Sequence, residues 1–417
     1  MKQYPKYKDS KISWIGDVPE YWGIHKIREH FRERKEKVSD KDFAPLSVAK
    51  IGIVPQLEDA CKTDNGDNRK LVRKGDFVVN SRSDRKGSCG ISPLDGSVSL
   101  INIVLTPYKI NSGFVHYLLR SNDYIEEFYR SGRGIVADLW TTRYSEMRNI
   151  FIPYPPADEQ QAIVEFLDTA VDKIDRYIAV KEAEIEKLGT LKQSVISQAV
   201  TKGLNPASPM KDSGIPWIGD VPEHWKKMRY KDLLNPKDVR VGNNPSYTLL
   251  SLTKQGVIVR DLSEGKGKFP KDFDTYKVIE PNDFILCLFD VDETPRTVGF
   301  AKDNGMITGA YNIFSVSRCD LRYLYYHYLS LDDKKSLKPL YKGLRKTIPL
   351  QRLLSAYIYM PPANEQQAIV NYIDEQVQKI DTSISNIRQQ IEKLKVYKQR
   401  LISDAVTGKI DVRERLG

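Results

Sequence analysis

Two stretches of the chain carry apolar residues in alternating steps of three and four. The first runs through Leu167, Val171, Ile174, Ile178, Ile185, Leu188 and Val195. The second runs through Ile373, Val377, Ile380, Ile384, Ile387, Ile391, Leu394 and Leu401. This heptad spacing puts one narrow apolar stripe on an α-helix and leaves the other faces polar. Lys181, Lys192 and Lys398 fill seam positions that an apolar residue would otherwise take. A helix of ~40 residues is about 60 Å long at 1.5 Å per residue, too long to lie on one domain of this size. Each stripe therefore asks for one long partner, and the other stripe is the simplest one. A lone amphipathic helix on a globular core is the alternative. Both helices follow a Pro-Pro pair, Pro155-Pro156 and Pro361-Pro362, and both end near a glycine, Gly203 and Gly408. Asp158 or Asn364 is placed to cap the helix start, and the Glu that follows suits its positive end.

Ahead of each helix the pattern changes to short apolar runs after turn residues. Phe77-Val78-Val79 follows Lys74-Gly75-Asp76, and Phe284-Ile285-Leu286 follows Pro281-Asn282-Asp283. Both predict a turn feeding a buried strand. Leu46-Ser47-Val48 and Leu250-Ser251-Leu252 predict a second matched pair, while Phe114–Leu119 and Leu321–Tyr326 predict helices. The matching extends to whole motifs. Trp14-Ile15-Gly16-Asp17-Val18-Pro19-Glu20-Tyr21-Trp22 returns as Trp217-Ile218-Gly219-Asp220-Val221-Pro222-Glu223-His224-Trp225, an offset of 203. Pro155-Pro156-Ala157-Asp158-Glu159-Gln160-Gln161 returns as Pro361-Pro362-Ala363-Asn364-Glu365-Gln366-Gln367, an offset of 206. The chain is an internal repeat: a Trp-bracketed segment, a mixed region and a long helix, twice over. The Trp-bracketed segment reads as packing. The scaffold repeats but the loops do not, so the two copies should bind one class of ligand with different detail.

Composition narrows that class. Of 417 residues, 40% are hydrophobic and 29% charged, which describes a soluble globular protein with room for two ordinary cores. No apolar run is long enough to span a membrane, and the amino terminus lacks a signal-peptide core. Cys61, Cys89, Cys287 and Cys319 are scattered and read as reduced thiols of a cytoplasmic protein. The net charge of +10 is uneven: +5 over residues 24–154, +8 over 226–360, and −3 over 155–203. Positive charge in the two mixed regions favours a polyanionic partner.

The sequence carries no recognisable catalytic or cofactor motif. No phosphate loop occurs, and Gly265-Lys266-Gly267-Lys268 meets Pro270 where a third glycine should stand. His25, His30, His116, His224 and His327 lack zinc spacing. The basic residues instead cluster beside turns and aromatics. They are Arg82, Arg85 and Lys86; Arg130, Arg133 and Arg143 around Trp140; Lys266 and Lys268; Arg296; and Lys342, Arg345 and Lys346 beside Tyr341. Such clusters suit phosphate contacts with a few readers of base edges, although a run of charge is also what any solvated face carries. Recurrence in both copies weighs towards binding.

Taken together, the doubled Trp-Ile-Gly-Asp-Val-Pro-Glu-x-Trp opening, the basic turn, the Pro-Pro-x-x-Glu-Gln-Gln-Ala-Ile block and the heptad helix resemble the specificity subunit of type I restriction–modification systems. The resemblance covers essentially the whole chain. It implies an α+β chain with two mixed α/β target-recognition domains separated by two long helices, packed as an antiparallel coiled coil with pseudo-two-fold symmetry. On that basis residues 1–154 are expected to form the first recognition domain and 155–203 the first spacer helix. Residues 204–360 supply the linker and second domain, and 361–417 the second helix. The implied partners are double-stranded DNA, two methyltransferase subunits that grip the helices and two motor–nuclease subunits. Catalysis lies in those partners, which use S-adenosylmethionine, ATP and magnesium; no cofactor, metal or catalytic residue is expected in this chain. Each domain would read one half of a split site, with the helices setting the gap. A protein-binding scaffold with a coiled-coil spacer, or a self-sufficient nuclease, are the rival readings. The basic mixed regions argue against the first and the missing motifs against the second.

Overall fold

The computed structural model describes residues 2–57, 66–134, 140–242, 247–260, 273, 275–344 and 346–413. It divides into two compact units, Met1–Lys181 with Arg388–Gly417, and Glu182–Ile387. Both divisions fall inside the long helices Ala157–Lys202 and Ala363–Val406, so each unit holds the first half of one helix and the last half of the other.

The first unit is built on a four-stranded antiparallel sheet in the order Cys89–Ile91, Phe77–Asn80, Asn102–Pro107, Phe31–Glu33. Its central strands are continuously apolar over Phe77–Val79 and Ile103–Leu105 because both faces are covered there. Phe77, Val79, Ile103 and Leu105 face the main core. Val78 and Val104, pointing the other way with the two-residue period of a strand, pack with Leu46, Ile53, Val72 and Val98. A salt link closes the turn into the sheet: Arg34 Nε donates to Asp76 Oδ2 at 2.7 Å, and the Asp76 side chain is 2% exposed.

The second unit repeats this plan with the order Leu234–Lys237, Asn312–Val316, Phe284–Leu286, Val298–Phe300. Phe284, Leu286 and Phe314 face the main core, while Ile285 and Ile313 face a second cluster with Leu250, Ile279 and Ile307. The salt link also recurs, as Lys237 Nζ to Asp283 Oδ1 at 2.8 Å. In both units the strand just before the long helix pairs with the one just after the Trp-bracketed segment: Phe151–Tyr154 with Gly23–Lys26, and Tyr357–Met360 with Lys226–Arg229.

The two repeated motifs meet. Trp22 and Trp225 are buried, and their indole N–H groups donate to Glu159 Oε2 and Glu365 Oε1, each at 3.1 Å. Glu159 also accepts from the hydroxyls of Tyr4 and Tyr21, and Glu365 lies 2.8 Å from His224 Nε2. The neighbouring glutamines do matching work. Gln160 and Gln366 accept from the backbone N–H of Asn111 and Asp320 at 2.8 Å, and donate to Pro155 O and Pro361 O. This corrects the capping expectation. The helices begin at Ala157 and Ala363, so Pro156 and Pro362 hold the cap positions and Asp158 and Asn364 stand inside the first turn, two positions too late to cap. Both helices close as expected, on glycines held left-handed at φ 70° for Gly203 and 73° for Gly408, where a side chain would be strained.

Within the first unit, Leu167 and Ile391 are buried and Val171, Ile174, Ile178 and Leu394 half-buried. Within the second, Ile373, Ile380 and Ile387 are buried and Ile185, Leu188, Val377 and Ile384 half-buried. Two of the seam lysines reach across to the facing helix, while Lys181 lies over the Tyr177 ring of its own helix. Lys398 Nζ sits 2.6 Å from Asp175 Oδ1 in the first unit, and Lys192 Nζ sits 2.7 Å from Asp381 Oδ2 in the second. A long aliphatic stem that lies along the stripe and carries its charge to a partner carboxylate explains why lysine is tolerated there. These pairs also show the helices antiparallel, since the first half of each meets the last half of the other.

Candidate nucleic-acid interface

In each unit a loop leaving the central strand meets a hairpin, and the sequence-predicted cations gather there. In the first unit the loop is Ser81–Lys86, entered from the strand Phe77–Asn80 and turning through the short helix Ser83–Arg85. The hairpin starts at Arg133 and returns at Thr141, with Arg133 N donating to Thr141 O at 2.9 Å and Thr141 N to Arg133 O at 3.0 Å. Thr142 N then donates to Ser81 O, also at 2.9 Å, and ties hairpin to loop. Thr141 bridges both Arg82 and Arg133, so the structure brings Arg82, Arg133 and Arg143 onto one three-segment ribbon. All three are exposed, as is Arg85. Tyr129 supports the loop from below, its hydroxyl donating to Asn80 O and Arg85 O. Lys86 belongs to the same loop, but its ammonium lies 2.5 Å from Glu126 and is already compensated. Beside the ribbon is a hollow of about 610 Å³ lined by Lys86, Arg130, Trp140, Asp123, Glu126 and Glu127, whose mixed charge does not suit a phosphate.

The second unit repeats the arrangement with other side chains. The hairpin starts at Lys342 and returns at Thr347, with Lys342 N donating to Thr347 O at 2.9 Å, and Ile348 N ties it to Leu288 O at 2.7 Å. Lys342 and Lys346 are exposed. Asp292 holds the base of the hairpin, accepting from the Tyr341 hydroxyl and pairing with Lys346 at 3.1 Å. The hydrogen bond from Lys346 holds the Asp292 carboxyl below its ordinary range.

One predicted cation is placed elsewhere. Arg296 sits under the loop rather than on it: its Nη1 lies 2.7 Å from Asp333 and 3.2 Å from Asp332, and its side chain is 16% exposed. Burial opposes its charge, but the two carboxylates outweigh burial and keep the guanidinium protonated. That correction has a simple cause. Asp332, held by Thr297 N and the Thr297 hydroxyl, lies beside Asp333, and this pair of carboxylates takes two cations, Lys335 at 2.7 Å and Arg296, for the scaffold. Lys266, Lys268 and Arg345 lie outside the described residues.

The sequence does not predict the hairpins, although a cation-glycine pair opens each, Arg133-Gly134 and Lys342-Gly343. The missing signal was the returning threonine, Thr141 or Thr347, whose spacing from the glycine differs between copies. His25 and His30 do not build a metal site. Their ring nitrogens are 2.7 Å apart and both rings stack on Tyr154, and no cluster of three potential ligands occurs among the described residues. No helix among the described residues is long and apolar enough to cross a membrane.

Comparison with known proteins points one way. Residues 222–393 match the family model described as the type I restriction modification DNA specificity domain. The whole chain is similar to the putative type I restriction enzyme MjaX specificity subunit of Methanocaldococcus jannaschii, 24% identical with 99% of each chain covered. It is also similar to the MjaVIII specificity subunit of that organism, 27% identical over 64% of this chain and 63% of the other. Two solved structures share the fold. One, from work on complex assembly and conformational transition of the type I R-M system, has a TM-score of 0.70 at 15% identity, covering 94% of this chain and 99% of that one. The other is the HsdS subunit of Thermoanaerobacter tengcongensis, with a TM-score of 0.50 at 16% identity, covering 94% and 98%.

Proposed function

We infer that this chain is the DNA-specificity subunit of a type I restriction–modification system, the family it resembles from end to end. The observation that carries this reading is one scaffold built twice with unlike tips. Both units share strand order, salt link and loop-to-hairpin junction, yet Arg82, Arg133 and Arg143 at one tip are replaced by Lys342 and Lys346 at the other. Two similar readers with different contact residues serve a target with two dissimilar halves. Exposed arginines and lysines at the tips neutralise phosphates and orient the domain, and a guanidinium that reaches a base edge can present its fork to guanine.

The chain itself is non-catalytic. Methylation of adenine and cleavage belong to two methyltransferase and two restriction–translocase subunits, which supply the sites for S-adenosylmethionine, ATP and magnesium. The methyltransferase subunits grip the long helices, and helix length sets the gap between half-sites. Co-expression of the chain with its methyltransferase subunit, followed by methylome sequencing, tests the reading. The expected result is one asymmetric motif of two defined halves around a fixed gap. Methylation at an undivided motif, or none above background, would sink it. Gel shifts of the same complex on duplex DNA separate it from a protein-binding scaffold, which would show no salt-dependent retention.

A further inference from the structure

The hairpin of the second unit exposes an apolar residue that packs on nothing among the described residues. Leu344 stands at its tip with a relative exposure of 104%, the highest of the large apolar side chains among the described residues. The hairpin is tight and anchored. Lys342 and Thr347 exchange backbone hydrogen bonds, Lys346 N donates to Gly343 O at 3.2 Å, and Gly343 and Lys346 take left-handed φ values of 73° and 44°. Asp292 grips it through Tyr341 and Lys346. A fully solvated leucine on an anchored hairpin, two residues from the exposed cation Lys342, is built to meet an apolar surface bounded by negative charge.

Duplex DNA has two such surfaces: the thymine methyl in the major groove, and the face of a base pair opened at a step. The repeat decides between them. Contact loops differ between the copies, as half-site readers must, but the order cation, glycine, branched aliphatic is kept. It reads Lys342-Gly343-Leu344 in the second copy and Arg133-Gly134-Ile135 in the first, where Ile135 is known from sequence only. A feature shared by two readers of different sequences serves a step that does not depend on sequence. We propose that Leu344 is a wedge inserted at a base step of the half-site read by the second unit, while Lys342 holds a flanking phosphate, Lys346 stays on Asp292 to brace the hairpin, and Gly343 lets the backbone approach.

This rests on the DNA-specificity reading, and the test separates the two. The full chain, in complex with its methyltransferase subunit, is titrated onto duplexes carrying the methylome-mapped site, with 2-aminopurine placed singly along the second half-site. Wild-type complex that fails to prefer the mapped site over a scrambled duplex overturns the specificity reading itself. Given that preference, Leu344→Ala should lower affinity by about tenfold, the effect of losing most of one leucine's burial. It should also abolish the fluorescence rise at one step, whereas Leu344→Met should keep both. Subtracting the Leu344→Ala profile from the wild-type profile removes any signal from the partner subunit's handling of the target base. Identical profiles and affinities for wild type and Leu344→Ala would overturn the wedge. So would an affinity loss reproduced, without further loss in the variant, when thymines of the half-site are replaced by uracil, because Leu344 would then be a methyl reader.

Discussion

Replacing Trp225 by phenylalanine probes the contact that joins the two repeated motifs. Trp225 is 2% exposed, and its indole N–H donates to Glu365 Oε1 at 3.1 Å. Glu365 has His224 as its other side-chain partner, on the more exposed side. Phenylalanine removes the donor and leaves a gap where half of the indole stood. A hydrogen bond to a charged acceptor contributes about 1.5–3 kcal/mol. Partial loss of a buried aromatic adds about 1–2 kcal/mol, a fraction of the 3–5 kcal/mol for full truncation. The expected loss is therefore about 3 kcal/mol, read as a lowered urea midpoint at unchanged slope. Cavity and hydrogen bond separate in a double-mutant cycle with Glu365→Met, which keeps the side-chain length and removes the acceptor. Residues in direct contact should couple by about 1–2 kcal/mol. The same cycle between Trp22 and Glu159 should couple less, because Tyr4 and Tyr21 continue to hold Glu159. A coupling energy indistinguishable from zero for Trp225 and Glu365 would refute the reasoning and reduce the tryptophan to volume alone.

Further outcomes are expected. Arg82, Arg133 and Arg143 changed together to alanine should weaken DNA binding and reduce the slope of log K against log salt by about 2.7, or 0.9 per phosphate lost; an unchanged slope would clear that ribbon. Burial pushes the His327 imidazole down to about 4, so below pH 6.5 the unfolded chain gains a proton that the folded chain refuses. Stability should then fall as pH drops from about 6.5 to about 4, by up to ~3 kcal/mol, and His327→Phe should flatten that part of the urea-midpoint profile. Gly408→Ala should destabilise the first unit, since φ is 73° there and an added Cβ would meet Pro19 Cδ at 2.4 Å; an unaltered melting curve would contradict this. Deleting one heptad from both long helices removes about 10 Å, or about three base pairs, so methylation mapping should return a shorter gap.

The helices were legible because a narrow apolar stripe admits one reading, and the repeat was legible because Trp14–Trp22 and Pro155–Gln161 recur almost unchanged. The sheet was half-legible. Phe77-Val78-Val79 announced a strand buried on both faces, but strand order depends on pairings such as Val78 with Val104 that leave no local trace. Glu159 and Glu365 were read as dipole partners of a helix start. Their engagement with a tryptophan more than 130 residues away was hidden, because a carboxylate's donor is fixed by tertiary approach. Among the cations, charge and turn context found the exposed tips at Arg82, Arg133 and Lys342. The same criteria could not distinguish Arg296, which the buried Asp332 holds in the scaffold. Whether a basic residue faces solvent depends on which acids the fold brings beneath it, and sequence spacing does not report that.

The division of the chain also fixes an order of assembly. Glu182–Ile387 is continuous, so every residue of this unit has been joined to the chain before the last helical turns are made. The other unit must wait. Leu401, Ile402, Ala405, Val406, Ile410 and Val412 fill its core, and Asp411 N donates to Lys2 O, so its first residues are held open until its final ones arrive. The amino-terminal reader is thus synthesised first and finished last, and a message truncated before codon 388 would yield one completed reader and one with its core unsealed.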